Sequence, residues 1–324
     1  MSDVHSEKLV LFDGNALLHR AYHAFPQTLR TSQGELTNAV YGFTSTLLTV
    51  FRKLQPTHTI VAFDEKAPTF RHKQFKGYKA SRPKMDEELA GQIKRTKEVV
   101  SVLNIPQFGI EGYEADDVLG TLSYQAEQNG FEAITIVTGD RDALQLISAK
   151  TSVYFPSRGR IPEKTFDQEI FEKEYGFKPK QLIDYKALVG DSSDEIPGVK
   201  GIGPKAATQL ITKYGSMETI YQHLSEISGS LKDKLEIDRD IAKLSKELAT
   251  IIINVPITFD KAKSRLTDYN REEAEELFLQ LEFRSLLKRL PGDSWEEMVQ
   301  DTMGGEAAPK KTKKKTADNQ MGLF

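Results

Sequence analysis

The sequence predicts an α/β protein with a mostly parallel central sheet flanked by helices, followed by a C-terminal helical region. Short apolar runs at residues 9–12, 59–63 and 133–137 are typical of strands buried on both faces of a sheet. The segments between them, roughly 40–58 and 86–102, carry apolar residues at helical spacing, so strands and helices alternate along the chain. From residue 231 to residue 290 the pattern is helical, which predicts the second region.

Length and composition limit the class of protein. A chain of 324 residues with 39% apolar and 28% charged residues is expected to bury a sizeable core as an ordinary globular protein. The absence of cysteine excludes disulfides and thiolate metal sites, so a bound metal would need oxygen or histidine ligands. No apolar run approaches the length of a membrane span, and a cytoplasmic, nucleoid-associated monomer without membrane contact is expected.

Each of the three predicted strands leads into an aspartate: Asp13, Asp64 and Asp140. Ligands of open parallel sheets bind beyond the carboxyl ends of the strands, so these side chains are expected at one edge. A single such aspartate is as readily explained as the N-cap of the following helix. Three of them, with Asp142 close behind, instead favour a metal site.

The stretch Tyr113–Asp117 places Glu114, Asp116 and Asp117 within four residues, just before an apolar helical pattern. Carboxylates this close repel one another, and a half-buried group of them needs a compensating cation. Divalent magnesium or manganese is the usual one. The alternative is an acidic helix N-terminus that is stabilised by the helix dipole.

A basic segment separates the second strand from this acidic stretch. No acidic residue lies between Glu65 and Asp86, whereas seven lysines and arginines do. Aromatic residues, including Tyr78, are interleaved with them, so the segment can pair with phosphates and stack on unpaired bases. A solvated basic loop is the alternative interpretation.

A second acidic turn follows a predicted helix at residues 181–188. Asp191 and Asp194 are spaced to face one way and hold a second cation. The next segment, Gly198–Lys205, leads into an amphipathic helix and matches a helix–hairpin–helix element. Its glycines allow the backbone to approach a phosphate, and the following helix N-terminus offers amide groups to the anion.

Taken in order, these motifs resemble the 5′-nuclease domain of bacterial DNA polymerase I and related flap endonucleases, with a PIN-like core, over roughly residues 8 to 290. The matching segments are 12–15, 20–24, 62–64, 69–72, 78–82, 114–117, 138–142 and 190–194. The resemblance implies a structure-specific 5′-3′ exonuclease and flap endonuclease that hydrolyses DNA phosphodiesters with two Mg²⁺ or Mn²⁺ ions, in replication and repair. Branched, nicked or 5′-flap DNA would be its substrate.

The resemblance also assigns roles to residues. The first metal ion is expected on Asp13, Asp64, Glu114, Asp116 and Asp117, and the second on Asp140, Asp142, Asp191 and Asp194. Lys79 and Arg82 are the expected catalytic cations near the scissile phosphate. DNA-binding roles are expected for Arg20, Arg71, Tyr78, Lys79, Arg82, Lys200, Gly201, Gly203 and Lys205, with K⁺ expected at the helix–hairpin–helix. Glu195 departs from the family, which usually has asparagine there.

Three regions are predicted. Residues 1–180 form the nuclease core, with a basic helical arch at about 66–100, and residues 181–290 form the DNA-binding region, with the helix–hairpin–helix at about 196–215. Residues 291–324 form a lysine-rich tail that is expected to be disordered. Its last five residues, which include Gln320, Leu323 and Phe324, resemble a bacterial sliding-clamp-binding peptide. Because no polymerase follows, a free-standing nuclease recruited to the clamp is expected.

Two other functions fit part of the pattern. A metal-dependent phosphatase or RNase on a similar sheet would share the aspartates at the strand ends, but it would need neither the basic segment nor the hairpin. A non-catalytic DNA-junction binder or clamp accessory would use the basic residues and would tolerate loss of Asp116.

Overall fold

A computed structural model describes residues 7–290, and the predicted clamp peptide lies outside the described residues. Six strands form one sheet in the order β3-β2-β1-β4-β5-β6. All neighbouring strands are parallel except β6, which runs antiparallel to β5. The strands are β1 Lys8–Asp13, β2 His58–Ala62, β3 Gln107–Phe108, β4 Ala133–Val137, β5 Thr151–Phe155 and β6 Lys164–Phe166.

Helices cover both faces of this sheet and make up most of the C-terminal half. In the N-terminal half they are α1 Gly14–Ala24, α2 Asn38–Leu54, α3 Phe70–Gln74, α4 Glu87–Val102, α5 Ala115–Gln128 and α6 Gln168–Tyr175. In the C-terminal half they are α7 Leu182–Val189, α8 Pro204–Tyr214, α9 Met217–Gln222, α10 Ser230–Ile237, α11 Arg239–Ala249, α12 Lys261–Ser264, α13 Arg271–Gln280 and α14 Arg284–Leu287. No helix within residues 7–290 is long and apolar enough to span a membrane.

The central strand β1 shows why its apolar run is continuous. Successive side chains of a strand point to opposite faces of the sheet. Leu9 and Leu11 pack into one core with helices such as α5, whereas Val10 and Phe12 pack into the other with α1 and α2. All four residues are at most 1% exposed. Both faces of the strand therefore need apolar residues, as expected for a sheet between two helical layers.

The C-terminal helices do not all lie in one region. Helices α7 to α11 pack beside α5 on one face of the sheet. Helices α13 and α14 instead return to the opposite face, where Leu277 and Phe278 are buried in the same core as Phe12. Arg289 then donates to the Ser45 hydroxyl of α2 at 2.7 Å. The last described residues thus complete the α/β core.

The first part of the segment predicted as a basic helical arch is mostly not helical. Within residues 66–86 it contains the short helix α3, followed by turns. The rest of the predicted range is α4, which packs on α2 through buried residues such as Gln92, whose side-chain oxygen accepts from the Ala39 amide at 2.8 Å. A helix held against the core in this way does not stand away from it.

Candidate active site

The site lies at the carboxyl edge of the sheet, where β1 has β2 on one side and β4 on the other. Parallel sheets bind ligands at such a point, because the helices that follow the two neighbouring strands lie on opposite faces. Asp13 is the last residue of β1, Asp64 follows the end of β2, and Asp140 follows the end of β4. Helix α5 begins at the same edge, because the Ala115 amide donates to Asp64 at 2.7 Å.

Asp13 has one of the two roles that the sequence left open, that of a helix N-cap, and its metal-binding role stays a prediction. It caps α1 by accepting from the Ala16 amide at 2.9 Å, and its other oxygen accepts from the Thr138 hydroxyl at 2.7 Å. The side chain is almost fully buried, and this burial, with the charges of Asp64 and Asp140 nearby, raises its pKa to about 7. A capping aspartate in solvent would not be driven toward protonation in this way.

Asp116 is the least compensated group of the site. Its Oδ1 atom is buried and has no hydrogen-bond partner among the described residues. Burial, together with the charges of Asp13, Asp140 and Asp142, raises its pKa well above the usual value. An unpaired buried carboxylate oxygen is costly, and a divalent cation bound by oxygen ligands would satisfy it. The chemistry of this oxygen, a carboxylate ligand, therefore suits Mg²⁺ or Mn²⁺.

The predicted ligands are not all arranged to receive an ion. Within residues 7–290, no three acidic or histidine side chains stand where they could hold a metal ion together. Several carboxylates are instead bound by cationic side chains of the protein itself. The charge of Asp140 is nevertheless close enough to raise the pKa values of Asp13, Asp116 and Asp142.

Asp117 and Arg71 form a buried structural pair. The two terminal nitrogens of Arg71 each donate to one oxygen of Asp117 at 2.8 Å, and Arg71 also donates to the carbonyls of Leu248 and Thr250. Both side chains are at most 3% exposed. Both Asp117 oxygens are therefore used within the protein, which argues against its expected role as a metal ligand. For the same reason the guanidinium of Arg71 cannot reach DNA, contrary to the expectation from sequence.

Tyr78 links two carboxylates that are far apart in sequence. Its hydroxyl lies 3.1 Å from Glu114 and 3.1 Å from Asp194, and donates to these side chains. The residue is 3% exposed, so its ring is not free to stack on a base as the sequence suggested. Its contacts make it a positioning residue between the two acidic segments.

The two expected catalytic cations are held by the same carboxylates. Lys79 donates to Glu114 at 2.9 Å and lies 3.6 Å from Asp194, and Arg82 donates to Asp194 at 2.6 Å. The Arg82 side chain is about half exposed and the Lys79 side chain much less so. Both cations are therefore paired with carboxylates of the chain itself.

Lys186 neutralises the remaining acidic turn, and the sequence analysis missed it. Its ammonium group donates to Asp142 and, at 2.6 Å, to Asp191, which also accepts from the Ser193 amide at 2.8 Å. Burial and the charge of Asp140 outweigh Lys186 at Asp142 and raise its pKa to about 6. Burial also opposes ionisation of Asp191, but there the bonds from Lys186 and Ser193 outweigh it and lower the pKa. A lysine on the helix that leads into a predicted cation site was the available signal.

The turn that carries Asp191 depends on two glycines. Gly190 and Gly198 both have φ in the left-handed region, at 80° and 62°. A Cβ atom on Gly198 would lie 2.3 Å from the backbone nitrogen of Gly190. Only glycine allows the backbone segments at Gly190 and Gly198 to approach each other this closely.

The hairpin after this turn presents its predicted DNA-binding residues to solvent. Lys200, Gly201 and Gly203, between α7 and α8, and Lys205, in the first turn of α8, are all exposed. Helix α10 and the residue that follows it hold the hairpin backbone: Lys234 of α10 donates to the Gly201 carbonyl at 3.0 Å, and Asp238 accepts from the Lys200 amide at 2.8 Å. Arg20, by contrast, is half-buried and donates to the Pro156 carbonyl at 2.6 Å.

Comparison with protein families matches nearly the whole described chain. The family model of the 5′-3′ exonuclease N-terminal, resolvase-like domain matches residues 8–176, which is more than half of the sequence. The model of the 5′-3′ exonuclease C-terminal SAM fold matches residues 177–272. The chain belongs to the 5′-3′ exonuclease family. This confirms the resemblance that the motifs indicated.

Similar curated proteins are larger than this exonuclease-family chain. It is 44% identical to DNA polymerase I of Caldicellulosiruptor bescii over 285 residues, which cover 87% of this chain and 33% of the polymerase. It is 43% identical to DNA polymerase I of Bacillus subtilis over 291 residues, with 90% and 33% covered. The chain thus spans about a third of the length of these relatives.

Solved structures confirm the predicted fold class. The T5 D15 protein, co-crystallised with metal ions, superposes with a TM-score of 0.63 at 19% identity, covering 91% of this chain and 99% of that one. The catalytic core of Rad2 in complex with DNA substrate superposes with a TM-score of 0.57 at 15% identity, covering 89% and 93%. The exonuclease-family fold therefore includes both the α/β core and the helical region.

Proposed function

We propose that this chain hydrolyses phosphodiester bonds in 5′ flaps, nicks and 5′ ends of DNA, with two divalent ions, Mg²⁺ or Mn²⁺. The observation that carries the proposal is the buried, unpartnered Oδ1 atom of Asp116 beside Asp13 and Asp140. Such an arrangement is costly for the protein alone and becomes favourable when a dication binds. The metal-containing and DNA-bound structures of related folds support the same view.

The acidic residues divide between the two ions. Asp13, Asp64, Glu114 and Asp116 would hold the first ion, and Asp140, Asp142, Asp191 and Asp194 the second. When bound, divalent ions lower the pKa of water and stabilise the charge on the attacking and leaving oxygens. Asp117 is left out of the ligand set, because its oxygens bind Arg71 and the Ile252 amide.

The residues of the chain itself bind and orient the substrate. Lys79 and Arg82 would bind oxygens of the phosphate that is cleaved. To do so, Lys79 would leave Glu114 and Arg82 would leave Asp194. Tyr78 keeps those two carboxylates in place. The Arg71–Asp117 pair fixes the start of α5, and with it the position of Asp116.

The exposed hairpin binds the duplex beside the cleavage site. Lys200 and Lys205 would meet backbone phosphates, and Gly201 and Gly203 allow close approach of the backbone. A K⁺ ion on hairpin carbonyls is part of the proposal at this position. So are a monomeric state, a cytoplasmic location near the nucleoid and a role in removing flaps or primers during replication and repair.

A 5′-labelled flap duplex tests the activity. The pure full chain should release the flap with Mg²⁺, leave a 5′ phosphate on the duplex product, and stop when a chelator is added. An Asp116→Asn variant should bind the flap but not cleave it. Cleavage of single-stranded RNA or of small phosphate esters in preference to the flap would point to an RNase or phosphatase. Binding without cleavage by the unaltered chain would point to a junction binder.

The proposed clamp contact needs a separate test, because residues 320–324 lie outside the described part of the chain. Removing these five residues should leave cleavage of a free flap unchanged and abolish any stimulation by a bacterial sliding clamp. Equal stimulation of the shortened and complete chains would contradict this role for Gln320, Leu323 and Phe324.

A further inference from the structure

Lys186 has an unusual place among the cations of the site. It lies on α7, outside the basic segment, and its side chain is only 12% exposed. Its ammonium group bridges Asp142, which follows β4, and Asp191, in the turn after α7. These are two of the four carboxylates assigned to the second metal ion. The ammonium group therefore occupies oxygens that this ion would need.

At the first metal position Glu114 is paired with Lys79 and Arg71, but Asp13 and Asp116 form no ion pair with a cation of the described chain. Asp13 accepts from the Ala16 amide and the Thr138 hydroxyl, which are neutral donors. The Oδ1 atom of Asp116 has no hydrogen-bond partner in the described chain. A dication approaching these oxygens would be attracted by their negative charge, with no cation to displace. A dication approaching Asp142 and Asp191 would meet a positive charge already bound to them, and like charges at such separations repel strongly.

We propose that Lys186 is a built-in counter-ion of the second metal position, and that a divalent ion binds there only by displacing the ammonium group from Asp142 and Asp191. The inference rests on the proposed two-ion function. It makes the two ions unequal: the first can bind Asp13 and Asp116, which form no ion pair in the described chain, whereas the second must replace the ion pairs of Lys186 with Asp142 and Asp191. Lys186 thereby sets the affinity for the second ion and keeps its carboxylates neutralised until that ion arrives.

The exchange is possible because of the chemistry of lysine. An ammonium group on a flexible four-carbon stem can leave two carboxylates by rotation of its side chain, without movement of α7. The site then loses one positive charge and gains two. The hydrogen bonds of Lys186 to Asp142 and Asp191 would be replaced by metal–oxygen bonds, with no covalent bond broken and no proton transferred.

Metal binding measured without substrate tests this proposal. The metal-free full chain is titrated with Mn²⁺ while free Mn²⁺ is followed by electron paramagnetic resonance. The unaltered chain should show a tighter and a weaker class of site. In Lys186→Met the weaker class should tighten by about tenfold or more, the size of effect that groups around metal ligands commonly have. Lys180→Met, which removes an exposed charge just before α7, should behave like the unaltered chain.

The outcomes separate the two proposals. Unchanged or weaker binding in Lys186→Met would overturn the counter-ion role, because Lys186 would then support the site rather than compete for it. If the unaltered chain bound no Mn²⁺ at all, the two-ion function itself would fail. Lys186→Arg keeps the positive charge and should keep the weaker class weak.

A second measurement needs no substitution and covers the case in which Lys186→Met does not fold. The unaltered chain is treated with an N-hydroxysuccinimide ester, and acylation of Lys186 is followed by mass spectrometry with and without saturating Mn²⁺. Displacement predicts faster acylation of Lys186 when Mn²⁺ is bound, while exposed Lys180 reacts at the same rate in both conditions. Slower or unchanged acylation of Lys186 would overturn the proposal.

Discussion

The two halves of the acidic cleft use the same residue types under opposite electrostatic conditions. In the half at the ends of β1 and α5, Asp13 is bound by neutral donors and Asp116 has an unpartnered oxygen. In the half formed by the turns, Asp191 and Asp194 are paired with Lys186 and Arg82. The difference teaches that an acidic cluster is not one uniform site. In one half carboxylates are paired with cations of the chain, whereas Asp13 and Asp116 in the other half form no ion pair within the described residues.

Asp117 is a carboxylate whose two oxygens are both fully used by hydrogen bonds within the protein. Its oxygens accept from Arg71 and from the amides of Ile252 and Glu114. It stands next to Asp116 in sequence, yet nothing of it remains for a metal. Neighbouring carboxylates on one helix can therefore serve structure and chemistry separately, according to the direction in which each points.

Asp116→Asn should have the largest effect, because it removes the least compensated charge. Cleavage of a 5′ flap with saturating Mg²⁺ should fall by about a thousandfold or more, as for loss of one member of a catalytic unit. The free energy of unfolding in chelator should rise, since a buried charge has gone. Urea denaturation and a flap assay on the same preparation measure both. Lower stability together with full activity would contradict the assignment of Asp116 to the uncompensated half.

Arg71→Ala tests the fully compensated pair. It leaves Asp117 buried without its counter-ion, and breaking such a pair costs about 3–5 kcal/mol of unfolding free energy. Urea denaturation in chelator measures the loss. Lys76→Ala, in the same segment but exposed, should change the free energy of unfolding by less than about 0.5 kcal/mol. Equal effects of the two substitutions would show that the buried pair is not structural.

The pH dependence of stability should distinguish the metal-free from the metal-bound protein. Burial raises the pKa of Asp13 to about 7 and that of Asp142 to about 6, both above the usual range of an aspartate. The folded chain therefore holds more protons than the unfolded chain between about pH 4 and 7. Each such group lowers the free energy of unfolding by up to about 1.4 kcal/mol per pH unit as pH rises through this window.

Thermal melting in chelator at pH 5, 6, 7 and 8 measures this decline, which Mg²⁺ should reduce by binding the ionised carboxylates. Asp142→Asn should flatten the part of the curve below about pH 6 and leave the part near pH 7. A melting temperature that rises with pH in chelator would be the opposite of what these shifts require.

The hairpin lysines should give the smallest effect, because their charges are exposed and act singly. Lys200→Ala and Lys205→Ala should each weaken duplex binding and reduce the slope of log Kd against log salt concentration by about 1. Fluorescence anisotropy over a range of salt concentrations measures the slope. Lys173→Ala, exposed on α6, serves as the control. An unchanged slope in both hairpin variants would remove the hairpin from the DNA-binding surface.

Sequence patterns predicted the edge of the sheet at which the acidic residues lie, but not the hydrogen-bond partners of the basic and aromatic residues there. The apolar runs before Asp13, Asp64 and Asp140 identify parallel strands, and parallel strands place their carboxyl ends together. The roles of Arg71 and Tyr78 depend on contacts with residues more than a hundred positions away, such as Leu248 and Asp194. A linear pattern records that a residue is basic or aromatic. It does not record whether a distant carbonyl or carboxylate has already bound it.

The return of α13 and α14 to the sheet has a practical consequence for protein engineering. A fragment that stopped after α11 would keep every acidic residue of the cleft and the whole hairpin. It would also uncover the apolar surface that Leu277 and Phe278 protect, and it would lose the anchor from Arg289 to Ser45. A minimal recombinant version should therefore extend to Leu290, although the chemistry is complete long before that point.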